Sequence, residues 1–189
     1  MKKNIFTIAL AVVFAAVCMV SCGNKKEEKG AAGYKPAKIV DEGVCGEEGG
    51  NLTWTLDANG VLFITGEGEM YSDWVSDVER APWDYAAETQ IKEIIIDKGV
   101  TTISKYAFWN CQAVEKVTVS NTVTEIEACA FHKTPSLKVI EIPSSVTYIA
   151  YNAFSYDGND ERPEVTVKGK EGSAAYRAAE DNGMNFEAV

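Results

Sequence analysis

The chain of 189 residues is long enough for one domain with targeting and linker segments, but short for two full domains. Its apolar fraction of 46% suits a protein with a buried core. Its formal net charge of −10 repels phosphate backbones, which sets nucleic acid aside as a partner, and argues against a polybasic grip on anionic lipid.

The first predicted element is a secretory signal over residues 1–21. Lys2 and Lys3 supply a positive start, and Ile5–Val20 is a largely apolar run of 16 residues. That run is too short for a comfortable membrane span, which needs roughly 20 residues. It ends in Met19-Val20-Ser21-Cys22. This resembles a bacterial lipobox, in which a small residue precedes an obligatory cysteine, with Met19 where Leu is usual. Cys18 is the poorer candidate because the bulkier Val17 precedes it. The resemblance implies a lipid on Cys22, and so a membrane partner reached through the N-terminal lipid. Each buried CH₂ of an acyl chain contributes roughly 0.8 kcal/mol, and stable anchoring takes more than one chain.

Residues 22–36 read as a flexible tether, charged and nearly free of apolar bulk. Within it, Lys26-Glu27-Glu28 resembles the export signal that sends some lipoproteins of gut and oral anaerobes to the outer face of the outer membrane.

Residues 37–90 are expected to form an N-terminal β cap. Leu52, Trp54 and Leu56 alternate with Thr53 and Thr55, the pattern of a half-buried strand. Asp57-Ala58-Asn59-Gly60 is a turn signal, and Val61–Thr65 returns as a second strand, so a β-hairpin is predicted. An irregular stretch holding Tyr71, Trp74, Pro82 and Trp83 follows.

Residues 91–163 carry a repeat. Ile94, Val117 and Ile140 lie 23 residues apart, and the step recurs in Ile96/Val119/Ile142, Val100/Val123/Val146 and Ile103/Ile126/Ile149. Thr101/Thr124/Thr147 and Ala107-Phe108, Ala130-Phe131, Ala153-Phe154 keep the same phase. Ile94-x-Ile96 points two side chains to one side of a short strand. One unit cannot bury them, whereas stacked units give each column like neighbours above and below. The spacing predicts a mainly β, right-handed solenoid of three full repeats and one partial. An insertion of two residues within Asp157–Pro163 then shifts the frame, so that Val165 and Val167 take the columns of Ile94 and Ile96. Residues 164–189 hold this partial repeat and a C-terminal cap. Ser173 as N-cap, good helix formers and Gly183 predict a helix, followed by a short strand near Met184–Ala188.

The units resemble BspA-type leucine-rich repeats, the short bacterial class also called treponemal. The residues that carry the resemblance are Ile91, Ile94, Ile96, Val100-Thr101-Thr102-Ile103, Ala107-Phe108 and Cys111. The preceding segment is similar as well, through Cys45-Gly46, Asn51–Leu56, Gly60-x-Leu62-x-Ile64 and Ala81-Pro82-Trp83. Repeat two departs from the pattern, with Thr134 where Cys111 would recur. The resemblance implies a short leucine-rich-repeat solenoid. It also implies a buried, inert Cys111 and a role in binding rather than catalysis, since members include surface adhesins.

Chemistry-bearing residues are sparse. The one histidine, His132, shares a column with Trp109 and Ser155 and is expected on the convex surface. No GxSxG motif or CxxC pair is present, so no catalytic residue, metal ligand or cofactor is assigned. Export would allow a Cys111–Cys129 disulfide, but spacing does not give the Cα separation it needs. Cys45 is expected in the cap packing. Asp157–Glu161 offers hard oxygen ligands without the order of an EF-hand loop, and reads as a solvated insertion. The candidate ligand face is the outward side of the sheet: Glu93, Lys116, Val139 and Glu164, then Ile95, Thr118, Glu141 and Thr166, then Asp97, Ser120, Pro143 and Lys168. A second candidate is aromatic: Trp109, Tyr148, Tyr151 and Tyr156 in loop columns, with Tyr71 and Trp74 in the cap. The function expected is an outer-membrane, surface-exposed lipoprotein that binds a protein or glycan. The alternative is a periplasmic lipoprotein with a structural or accessory role in an envelope assembly.

Overall fold

The computed structural model describes residues 33–74, 80–87, 89–155 and 164–189. Cys22 and the proposed signal, most of the tether, Tyr156 and the Asp157–Glu161 segment lie outside the described residues.

One sheet of eight strands runs the length of the domain. Three strands open it: β1 (Ile39–Gly46), β2 (Gly49–Asp57) and β3 (Val61–Gly66), paired antiparallel. The β2–β3 hairpin matches the alternation of Leu52, Trp54 and Leu56; β1 was not expected. Its side chains are mostly exposed, so no apolar alternation marks it in the sequence. Gly43 of β1 faces Trp54, and a Cβ there would stand 2.8 Å from the indole Nε1, so only glycine admits the ring.

From β3 onward the sheet is parallel: β4 (Glu93–Ile96), β6 (Lys116–Val119), β8 (Val139–Glu141), β10 (Thr166–Gly169) and β11 (Asn185–Ala188). A second sheet of three two-residue strands, β5 (Thr102–Ile103), β7 (Glu125–Ile126) and β9 (Tyr148–Ile149), closes the other side of the coil. Register follows the 23-residue step: Ile94 pairs with Val117 and Val117 with Ile140. Leu62 pairs with Ile94 and Ile64 with Ile96, so β3 is the strand of an additional, longer first coil.

The fourth unit differs from expectation. Val167, not Val165, stands beside Ile140, and so the insertion amounts to four residues rather than two. Both valines face the same side of the strand, and period-2 alternation cannot detect a slip of two. The neighbour of Ile142 is then Gly169, where a Cβ would meet Ala175 Cβ at 2.9 Å. That alanine belongs to helix α2 (Ala174–Asn182), which closes the end of the solenoid. Ser173 caps it by accepting the Tyr176 N–H, and Gly183 ends it with φ 63°.

The core is built around an aromatic column. Trp83, Phe108, Phe131 and Phe154 stack at centroid distances of 5.7, 5.3 and 5.3 Å. Trp54 and Trp74 meet Trp83 edge-on at 5.8 and 5.4 Å, while the Trp83 indole donates to the Ala107 carbonyl at 2.8 Å. Trp83 follows a short helix-free turn and precedes α1 (Asp84–Ala87), whose Ala86 and Ala87 are buried against the same column.

The central position of Phe131 makes it the most sensitive site in the stack. Phe131→Ala is expected to cost about 3–5 kcal/mol in denaturant unfolding. Ser155→Ala, on the flank of the next coil, is expected to cost under about 1.5 kcal/mol. Equal losses at the two positions would refute the ranking.

Candidate functional site

The outward side of the long sheet forms two rows of side chains. The first is Val61, Glu93, Lys116, Val139, Thr166 and Asn185; the second is Thr55, Phe63, Ile95, Thr118, Glu141, Lys168 and Glu187. The four-residue insertion places Thr166 and Lys168 here, in the positions expected for Glu164 and Thr166. Lys116 Nζ lies 2.6 Å from Glu93 Oε1, and Lys168 Nζ lies 2.8 Å from Glu187 Oε1. Exposed pairs of this kind contribute only about 0–1 kcal/mol each, so they set charge pattern more than stability.

The predicted face residues are not equally available. Lys116, Val139 and Glu141 are exposed, Glu93 and Thr118 are half-buried, and Ile95 is only 6% exposed. Ile95 was expected in the open face. It sits beside Phe63 in the neighbouring strand, and that end of the face is apolar rather than polar.

Residues before β1 cover that apolar end. The Tyr34 ring lies 5.4 Å from the Phe63 ring, and its hydroxyl donates to Asp57 Oδ2 at 2.6 Å. The Ala37 N–H donates to the same oxygen at 3.0 Å, while the Asn59 and Val61 N–H groups donate to Oδ1 at 2.9 and 3.0 Å. Asp57 is therefore the closing residue of the β2–β3 turn and the anchor of Tyr34 at once. Burial by itself would raise its carboxyl; the hydroxyl of Tyr34 and the three N–H donors outweigh that and hold it below the ordinary carboxylate value. Burial pushes the Tyr34 phenol up, and the Asp57 charge adds to the shift.

The aromatic candidates separate. Tyr148 on β9 is 54% exposed, and Tyr151 in the following turn is 81% exposed. Trp109 is half-buried, with the Arg80 guanidinium 5.0 Å above its ring. Trp74 was expected as a surface candidate but belongs to the core, between Trp83 and Tyr71.

His132 is buried rather than on the convex surface, and its Nδ1 lies 2.8 Å from Ser155 Oγ, one coil on. Its column is a lateral ladder between coils, supported by Asn110 N–H donating to the His132 carbonyl and Lys133 N–H to the Ser155 carbonyl. Cys45, Cys111 and Cys129 are free thiols. Burial pushes Cys45 up to about 12 and raises Cys111 further, as expected of inert core thiols. The turns beside this ladder place Tyr106, Cys129, Asn110 and Lys133 at positive φ, a feature that no glycine announces in the sequence.

Residues 84–162 match the family model of the BspA type leucine rich repeat region. No curated protein matches the chain. Among solved structures, the chain is similar to a leucine-rich repeat protein from Eubacterium ventriosum, at 22% identity and a TM-score of 0.45, over 69% of this chain and 45% of that one. It is also similar to a leucine rich cell surface protein from Faecalibacterium prausnitzii, at 23% identity and 0.42, over 74% and 38%. A leucine-rich repeat protein from Bacteroides ovatus gives 19% identity and 0.38, over 74% and 40%. The chain spans less than half the length of each of these proteins.

The Asp57 clasp has a pH signature of known sign. A carboxyl held below its unfolded value contributes stability that is present above about pH 4 and lost as pH falls through the folded value. Asp57→Asn is therefore expected to flatten the acid limb of the stability profile. At neutral pH it should cost about 2–3 kcal/mol, in line with bonds to a charged acceptor. Chemical denaturation at a series of pH values checks both, and an acid limb as steep in the variant as in the wild type would rule out the assignment.

Proposed function

Because residues 84–162 match the family model of the BspA type leucine rich repeat region, we propose that this chain is a cell-envelope binding module, held to a membrane by a lipid on Cys22 and displayed at the cell surface, where it contacts a protein or glycan. The observation that carries the reading is a rigid scaffold with large side chains left in solvent on its third coil. Val139, Tyr148 and Tyr151 are exposed, although the same coils bury their own apolar columns almost completely. Exposed aromatics on a stiff support supply contact area at low entropy cost, to a protein hot spot or to the face of a sugar ring. The lipobox-like Met19–Cys22 and the Lys26-Glu27-Glu28 segment support the anchor and its outward display.

The face is short. Eight strands at about 4.8 Å spacing give a sheet about 35 Å long. Copies tethered on one membrane would bind by avidity, which adds factors of about 10²–10⁴ without new contacts.

Three outcomes are expected. Protease added to intact cells removes the repeat domain, as it does in a lysed control; survival until lysis would transfer the protein to the periplasmic, accessory role. Cys22→Ser moves the protein from the detergent to the aqueous phase in a phase-separation assay. On arrays of extracellular matrix proteins and glycans, Tyr148→Ala/Tyr151→Ala loses at least about tenfold in binding, while its thermal midpoint stays within a few degrees of the wild type.

A further inference from the structure

The outer face of a solvated sheet is ordinarily polar. At the β3–β4 end of this one, Val61, Phe63 and Ile95 are adjacent on the outer side. Val61 and Ile95 are buried, and Phe63 is half-buried. A residue from outside the sheet occupies this surface: Tyr34 lays its ring against Phe63 at 5.4 Å and donates its hydroxyl to Asp57 at 2.6 Å. Glu93, paired across from Val61, adds a second negative charge that acts on the phenol. An aromatic floor, aliphatic walls and a carboxylate oriented through its other oxygen by the Asn59 and Val61 N–H groups form a receptor for a phenol.

We propose that this end of the outer face is a subsite for a tyrosine side chain of a protein partner, and that Tyr34 is a built-in occupant which such a tyrosine displaces. The inference rests on the outer face being the binding surface, and it narrows the partner to a protein with an accessible tyrosine. The strap is a short chain segment, held by one ring contact, two hydrogen bonds to one oxygen of Asp57 and, where it enters β1, the Ala58 N–H bond to the Lys38 carbonyl. It can lift without disturbing the aromatic column, which lies on the opposite side of the sheet. A closed strap lowers the apparent affinity of the subsite by the fraction of time it is open. Beyond Ile95 the row continues through Thr118 to Glu141 and Lys168, where a partner's flanking polar residues would lie.

The test uses the full-length chain in detergent micelles with labelled isoleucine methyl groups, and p-cresol as the phenol probe. Tyr34→Ala is expected to show saturable p-cresol shifts at the Ile95 methyl, with Ile94 and Ile140 unmoved. The wild type should need at least about tenfold more probe, because the strap competes. No saturable shift in a Tyr34→Ala protein whose core methyls are intact overturns the subsite. Equal affinity in the two proteins overturns the displacement. If Tyr34→Ala does not fold, Tyr34→Phe replaces it; this keeps the ring, loses the Asp57 bond, and must bind p-cresol more tightly than the wild type for the proposal to stand. Each of these readouts is independent of surface display and of Tyr148 and Tyr151, so the subsite can fail while the wider binding reading stands, and the reverse.

Discussion

Every coil of this protein depends on its neighbours through one aromatic column. The stacked rings of Trp83, Phe108, Phe131 and Phe154 run along the solenoid within a core of aliphatic columns. Offset aromatic stacking contributes about 0.5–1.5 kcal/mol per pair beyond area burial, but its larger effect is geometric. Ring centroids lie 5.3–5.7 Å apart, somewhat more than the spacing of about 4.8 Å between parallel strands, the difference that a lateral offset of stacked rings produces. The alanine before each phenylalanine lets the turns of adjacent coils close, with Phe108 N–H donating to the Ala130 carbonyl and Phe131 N–H to that of Ala153. Sheet pairing and offset ring stacking are therefore compatible within one repeat.

That constraint also explains the two ends. At the start, the column passes from phenylalanine to tryptophan, and the wider ring is met edge-on by Trp54 and Trp74 rather than by another stacked ring. The hairpin can thus cover the column from the side, turning a parallel stack into an antiparallel margin at β1 and β2. At the other end, α2 takes over with alanines. Ala175 packs against Gly169, a pair small enough to bring helix and strand into direct backbone proximity. The last strand, β11, returns beside β10 in parallel register, as each earlier coil does.

Because the inward columns are committed to packing, functional variety is confined to what faces outward. The outer rows grade from apolar near the cap, through the Glu93–Lys116 pair, to charged residues near α2. Exposed Tyr148 and Tyr151 lie on the side of the second sheet. The two candidate surfaces are therefore on different sides of one rigid body. A partner that used both would have to wrap around the coil, whereas one that used either would meet a preformed surface at little conformational cost.

The fold was legible in the sequence wherever a residue's role repeats. The 23-residue columns, the Leu52–Leu56 alternation and the Ser173 and Gly183 caps each follow from local periodicity or local backbone chemistry, and periodicity does not depend on distant partners. Through the family resemblance, the sequence also implied the burial of Cys111 and the class of solenoid. Tertiary structure alone decided the rest. Val165 and Val167 have the same parity, so only the helix packed on Gly169 could choose between them. His132 and Trp74 carry polar atoms that suggest a surface, but a lateral ladder and a tryptophan cluster gave them partners inside. Ile95 looked outward and is still buried, beside Phe63 of the neighbouring strand, on which Tyr34 lies. The bond between Tyr34 and Asp57 joins positions 23 residues apart with no repeat to announce it. A single contact of this kind leaves no period to read, and only the folded chain brings its two halves together.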